Sequence, residues 1–156
     1  MAIARKHRIG SWSRVLAVAM AAFVGLITIV PAPAQENRAG NREVVAVREL
    51  KLKPGADINE FEQFVTRTYN PAWAAAVPGM RGYIAKGDRG VRKDGYALIL
   101  IFDTETTRNS IFPKAGSGAS EQFAPLLQKP FALNEDLDKY IEPGTLSAYT
   151  DYVALR

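Results

Sequence analysis

YALILIF, residues Tyr96 to Phe102, is apolar at every position. Side chains along a strand alternate between two sides, so Tyr96, Leu98, Leu100 and Phe102 share one face and Ala97, Ile99 and Ile101 the other. Neither face carries a polar residue. Such a segment is expected at the centre of a sheet covered on both sides, not at an edge.

The neighbouring segments arrange themselves around it. Met80 to Lys86 reads as the preceding strand, joined to YALILIF through Gly87 to Gly95. Further upstream, Glu43 to Lys53 (EVVAVRELKLK) reads as a strand with Val44, Ala46, Leu50 and Leu52 on one face and Arg48 interrupting that row. Pro54-Gly55 ends it. A helix then starts at Asp57, which has capping-box spacing to Glu60, and carries Ile58, Phe61, Phe64, Val65 and Tyr69 in one apolar stripe. Pro71 is expected to end or kink this helix near Asn70, with a restart through Trp73 to Val77.

After YALILIF, Thr104 to Phe112 reads as a weaker helix, followed by a Gly/Ser-rich break, KAGSGAS. Ser120 is expected to cap a helix containing Phe123, Leu126 and Leu127, made irregular by Pro125 and Pro130. Asn134 is expected to cap a separate short helix through Leu137, Tyr140 and Ile141. Leu146 to Leu155 closes the chain as a strand. The order is β-α-β-β-α-β, the ferredoxin-like α+β arrangement: one antiparallel sheet with helices on one face. Helices cover only one side of YALILIF, and a second copy of the same sheet would cover the other.

Several of these features resemble the dimeric α/β-barrel superfamily. They are the strand ending Leu-Lys-Pro-Gly (Leu52 to Gly55), the capped helix behind it, the Pro-Gly before the second strand and the aromatic last strand. The group includes stress-responsive barrel proteins and antibiotic-biosynthesis monooxygenase-like proteins. The chain looks most similar to uncharacterised exported members with a Lys-Gly-Asp-Arg-Gly stretch, here Lys86 to Gly90. The resemblance covers nearly all of Arg42 to Arg156. It implies a homodimer whose two sheets close a barrel, with a small-molecule pocket. Members that handle haem generally use a histidine, so haem degradation by that route is not implied here.

Residues 1–34 read as an export signal. Arg5, Lys6, Arg8 and Arg14 form a basic leader, Val15 to Val30 is uncharged, and Ala32-Pro33-Ala34 offers a cleavage site before Gln35. The apolar run is short for a bilayer span, which needs ~20 residues, so membrane attachment is expected only if the signal stays uncleaved. Residues 35–42 read as a flexible tether and 43–156 as one domain. The expected location is the periplasm or the exterior. Four of the twenty basic residues lie in the leader, which leaves sixteen against sixteen acidic ones. The basic balance therefore belongs to the signal, and no nucleic-acid partner is expected.

Cysteine is absent and the one histidine, His7, lies in the leader. That excludes Ser-His-Asp and Cys-His nucleophiles and imidazole or thiolate zinc sites from the domain. No cofactor and no metal are expected. The candidate ligand-binding residues are Arg48, Tyr69, Asn70, Trp73, Tyr83, Tyr96 and Asp151. Arg48 interrupts an apolar strand face, where it must be paired or hold a carboxylate or enolate oxygen. Tyr69, Asn70 and Trp73 cluster at the helix break and, with Tyr83 and Tyr96, would give a cleft aromatic walls, an amide and phenols. Asp151 is expected either to pair with Arg48 across the sheet or to act as a base. Lys86 to Gly95 reads as a solvated hairpin, and Glu135, Asp136 and Asp138 as a solvated helix start. Three functions fit: a homodimer binding a small apolar or aromatic ligand, a cofactor-independent oxygenase or isomerase acting on an aromatic or polyketide-like compound, and a structural dimer with a filled barrel.

Overall fold

The computed structural model describes residues 41–74 and 76–155. The expected signal, its cleavage site and the tether as far as residue 40 lie outside the described residues. Four strands form one sheet: β1 (Val44–Leu50), β2 (Met80–Lys86), β3 (Tyr96–Phe102) and β4 (Thr150–Val153). They lie in the order β2-β3-β1-β4 with every neighbouring pair antiparallel. YALILIF is thus an inner strand, with Leu98 opposite both Arg48 of β1 and Ile84 of β2. The alternation fixes which face is which. Val44, Ala46 and Leu50, Met80 and Ile84, and Tyr96, Leu98, Leu100 and Phe102 are all buried. They share one core with Phe61, Tyr69, Trp73, Leu127 and Leu137 from the helices.

The first helical stretch runs as α1 (Ile58–Phe64), one wide turn of π-helix (Val65–Tyr69) and α2 (Asn70–Ala74). Asp57 caps it, its carboxylate accepting from Asn59 N and Glu60 N. Pro71 does not end the helix. The ladder widens just before it, Asn70 N–H bonding back to the carbonyl of Val65, and helical geometry resumes through the proline. Asn70 then uses its side-chain amide on β2: it accepts from Ile84 N at 2.7 Å and donates to Ile84 O at 3.1 Å. Those are polar groups of an outer strand, so the amide blunts an edge that would otherwise be open to pairing.

Gly82 sets how closely this helix approaches the sheet. A Cβ there would meet Leu100 Cδ2 at 2.9 Å and Trp73 Cβ and Cε3 at 3.0 Å. The missing side chain is what lets the Trp73 indole lie on the sheet.

Downstream, α3 (Glu105–Ile111) is capped by Thr104, and α4 spans Ala124–Leu137. Two helices with caps at Ser120 and Asn134 were expected, but α4 runs unbroken through Pro130. That proline is buried, and packing outweighs the lost backbone bond. The Ser120 hydroxyl donates to Ser110 O. The acidic cluster also lies at the opposite end from the one expected, since Glu135, Asp136 and Asp138 fall at the C-terminus of α4. The helix dipole disfavours negative charge there, and Lys139 bonded to Asp136 offsets it. The closing strand is shorter than Leu146 to Leu155, because Leu146 sits in a turn after Pro143-Gly144. Gly87 to Gly95 is exposed along most of its length, as expected of a solvated hairpin.

The second sheet face lacks helices among the described residues. Val45 and Val47 of β1 and Ile99 and Ile101 of β3 lie half-buried on it. Tyr83 and Tyr152 flank them, 37% and 59% exposed.

Candidate functional site

The interruption at Arg48 marks a cavity. It opens between the helix-facing side of the sheet, α3, the second half of α4 and the loop after α3, with a volume of about 500 Å³. At ~30 Å³ per water it has room for a ligand replacing on the order of fifteen waters. Ala46, Leu98, Leu100 and Phe102 form its floor, and Phe112 and Phe131 give it aromatic walls. The charged residues on the wall are Arg48, Arg108, Lys114 and Asp151.

Arg48 reaches this wall because β1 turns its even-numbered side chains toward the helices. Its Nε donates to Leu146 O at 3.0 Å, and its guanidinium carbon lies 4.6 Å from the centre of the Tyr149 ring. One terminal nitrogen, Nη1, is buried without a hydrogen-bond partner. Desolvation lowers the pKa of the group, while Tyr149, Asp151 and Tyr69 pull it back up. The guanidinium is therefore a partly buried cation packed against a carbonyl and a ring face, with one terminal nitrogen held out of water.

Asp151 does not neutralise it. β4 places Asp151 opposite Ala46, on the same face as Arg48, but its carboxylate is bonded to Arg108 of α3. Both partners are largely buried, 19% and 25% exposed. The expected Arg48–Asp151 pair is replaced by Arg108–Asp151. An acid on the cavity wall is satisfied by a helix residue, and Arg48 is left with surplus positive charge.

Tyr69 and Trp73 stand behind this wall. The Tyr69 hydroxyl donates to Asn134 Oδ1 at 2.9 Å, and Asn134 lines the cavity. Burial pushes the phenol well above its ordinary value, against weaker pulls from the Trp73 N–H and Arg48. Trp73, 2% exposed, also lines the cavity, and its indole N–H completes no hydrogen bond. A tyrosine whose folded-state pKa is raised contributes nothing below about pH 10, where both states are protonated. Above that the unfolded chain ionises first, so stability falls with rising pH, by at most ~1.4 kcal/mol per pH unit. Urea midpoints measured across this range should fall less steeply in Tyr69→Phe than in the wild type. Equal slopes would mean that the phenol is not buried.

The remaining candidates lie elsewhere. Asn70 closes the edge of β2, as described above. Tyr83 sits on the open sheet face. Tyr96 is buried at the far end of β3, packing edge-on against Phe61 at 4.9 Å and donating to Glu62 beneath Lys86. The cleft expected from five aromatic and amide residues is thus divided among three places, because π-helical turning and strand alternation send neighbours in sequence to different sides. Trp73 is at the cavity with Tyr69 behind it, Asn70 and Tyr83 lie along one shallow groove at the edge of β2, and Tyr96 is at the end of β3. Arg48, Trp73 and Asp151 do come together, with Tyr69 behind them. The sequence reading missed Arg108, Tyr149, Asn134 and Lys114. Tyr149 and Asp151 share strand parity, which was the available signal for Tyr149. Nothing local marks Arg108.

No group of acidic residues among the described ones is arranged to hold a metal ion. No helix among them is long and apolar enough to cross a membrane. Comparison with known proteins gives no match to a family model, to a curated protein or to a solved structure.

Proposed function

We propose that this is an exported binding protein for a small organic anion with an apolar, aromatic-sized body, assembled as a dimeric α/β barrel. One observation carries the ligand reading: Arg48 is partly desolvated on the wall of a cavity with an apolar floor, one terminal nitrogen buried without a partner and no carboxylate bonded to it. A ligand carboxylate or enolate oxygen would supply the missing partner, and Leu98, Leu100, Phe112 and Phe131 would take its body. The binding reading has more behind it than the oxygenase or isomerase one. Asp151 is held by Arg108 and the Tyr69 phenol is hard to ionise, so neither is a ready base.

Strand order β2-β3-β1-β4 supports the ferredoxin-like arrangement, and the apolar face of Val45, Val47, Ile99 and Ile101 supports pairing with a second copy. Native mass spectrometry of the purified protein tests both readings, with separate titrations of 4-phenylbutanoate and its amide. The expected result is a dimer that binds the carboxylate roughly ten- to hundredfold more tightly than the amide, the range of a charged hydrogen bond. Equal affinities, or binding of neither, would sink the anion reading. A monomer would sink the barrel and leave the cavity argument standing.

A further inference from the structure

We propose that Tyr149 is a positioning residue that couples the anion site to a lid, the turn from Lys114 to Ser117. The inference rests on the binding reading above. Tyr149 works at two places at once. Its ring lies 4.6 Å from the Arg48 guanidinium, and its hydroxyl oxygen accepts a hydrogen bond from Gly116 N–H at 3.0 Å.

The turn is built to move as a unit. Ser117 closes it on itself, its N–H and its hydroxyl both bonding Lys114 O, at 3.1 and 2.7 Å. Gly116 holds φ at +72°, a conformation natural only to glycine. Behind the turn, Ser120 N–H bonds Ile111 O and the Ser120 hydroxyl bonds Ser110 O, each at 2.8 Å, which pins that side of the loop to α3. Among the described residues, Lys114 to Ser117 is hydrogen-bonded beyond the adjacent Gly118, whose carbonyl accepts from the Ser117 hydroxyl, through Tyr149 alone. All four residues are exposed, yet they line the cavity.

Closure has a chemical reason to follow binding. Lys114 forms no ion pair among the described residues. With the turn latched, Lys114 adds a second unneutralised cation to the wall that already holds Arg48. An anion gains from both cations only when the turn is down, so it binds the latched state better and shifts the population toward it. The Tyr149 ring meanwhile holds the guanidinium plane through a cation–π contact.

Two variants separate these roles. Tyr149→Phe keeps the ring and removes the latch; Tyr149→Leu removes both. In Tyr149→Phe the Gly116 amide should exchange with solvent about tenfold faster by NMR, the result expected when a local bond rather than global stability protects it. Association and dissociation of 4-phenylbutanoate should both accelerate, with the Kd changed by less than about threefold. Tyr149→Leu should weaken the Kd further, because Arg48 loses its platform. A merely structural tyrosine would lower the melting temperature in both variants without separating rates from affinity. Unchanged Gly116 exchange in Tyr149→Phe overturns the latch. Faster exchange with unchanged probe rates overturns the lid. If the wild type binds no probe while Gly116 exchange still responds, the binding reading fails and the latch stands.

Discussion

Replacing Trp73 by alanine is expected to lower the stability of the fold by about 3–5 kcal/mol, the range for removing a buried aromatic side chain. The indole is among the largest fully buried side chains. It packs against Tyr69 at 6.1 Å and edge-on to Phe131 at 5.8 Å, and it lies on Gly82 in the place a Cβ would occupy. The void cannot be filled from Gly82, which has no side chain to offer. It would also open toward the existing cavity, so collapse around it is incomplete. Measured against a total of ~5–15 kcal/mol for a domain, the loss is a large fraction of what holds the chain folded. At ~1–3 kcal/mol per molar urea the unfolding midpoint should drop by roughly 2 M, read by circular dichroism. Trp73→Phe should cost far less, since it keeps a ring and removes an indole N–H that has no partner. A loss below about 1 kcal/mol for the alanine variant would show that α2 does not rest on the sheet through this residue.

The second large effect belongs to Arg48 and runs in opposite directions for binding and stability. Arg48→Met keeps the length and apolar stem of the side chain but removes a cation that desolvation already penalises. Buried charges replaced by apolar groups of similar volume are often neutral or stabilising, by ~1–4 kcal/mol. The bond to Leu146 O is lost, which returns part of that gain. The melting temperature should therefore stay level or rise, while affinity for 4-phenylbutanoate falls roughly ten- to hundredfold. A residue kept at the expense of stability is the mark of a binding site. If instead the variant unfolds and the wild type shows no preference for the carboxylate over the amide, Arg48 serves the fold, tying β1 to the turn at Leu146.

The strand pattern carries most of the fold. Alternation in Val44–Leu50, Met80–Lys86 and Tyr96–Phe102 places each side chain on one face or the other. A strand apolar on both faces can only sit inside a sheet, where YALILIF is found. The Asp57 cap was legible for a similar reason, because an N-cap bond spans two or three residues. The features that misled are those that local propensity cannot settle. Pro71 was expected to end or kink its helix, and the ladder does widen just before it but resumes through it; the two helices expected around Pro130 and from Asn134 run as one, with Pro130 buried inside. Asn134 looked like a cap and is instead the partner of Tyr69, 65 positions away in sequence.

By itself the sequence determined that an arginine stands on the buried side of a strand and that no histidine or cysteine is available to the domain for chemistry. It also marked Tyr96 to Phe102 as an inner strand, since periodicity and composition act within a few residues. Only the tertiary structure decided what surrounds Arg48. Asp151 is taken by Arg108 from α3, Tyr149 lies against the guanidinium, and a glycine-rich turn that reads as a mere break lines the cavity and bonds Tyr149. Those choices depend on which side chain from a distant element arrives first at a buried charge. Desolvation makes such pairings strong, and sequence spacing says nothing about them.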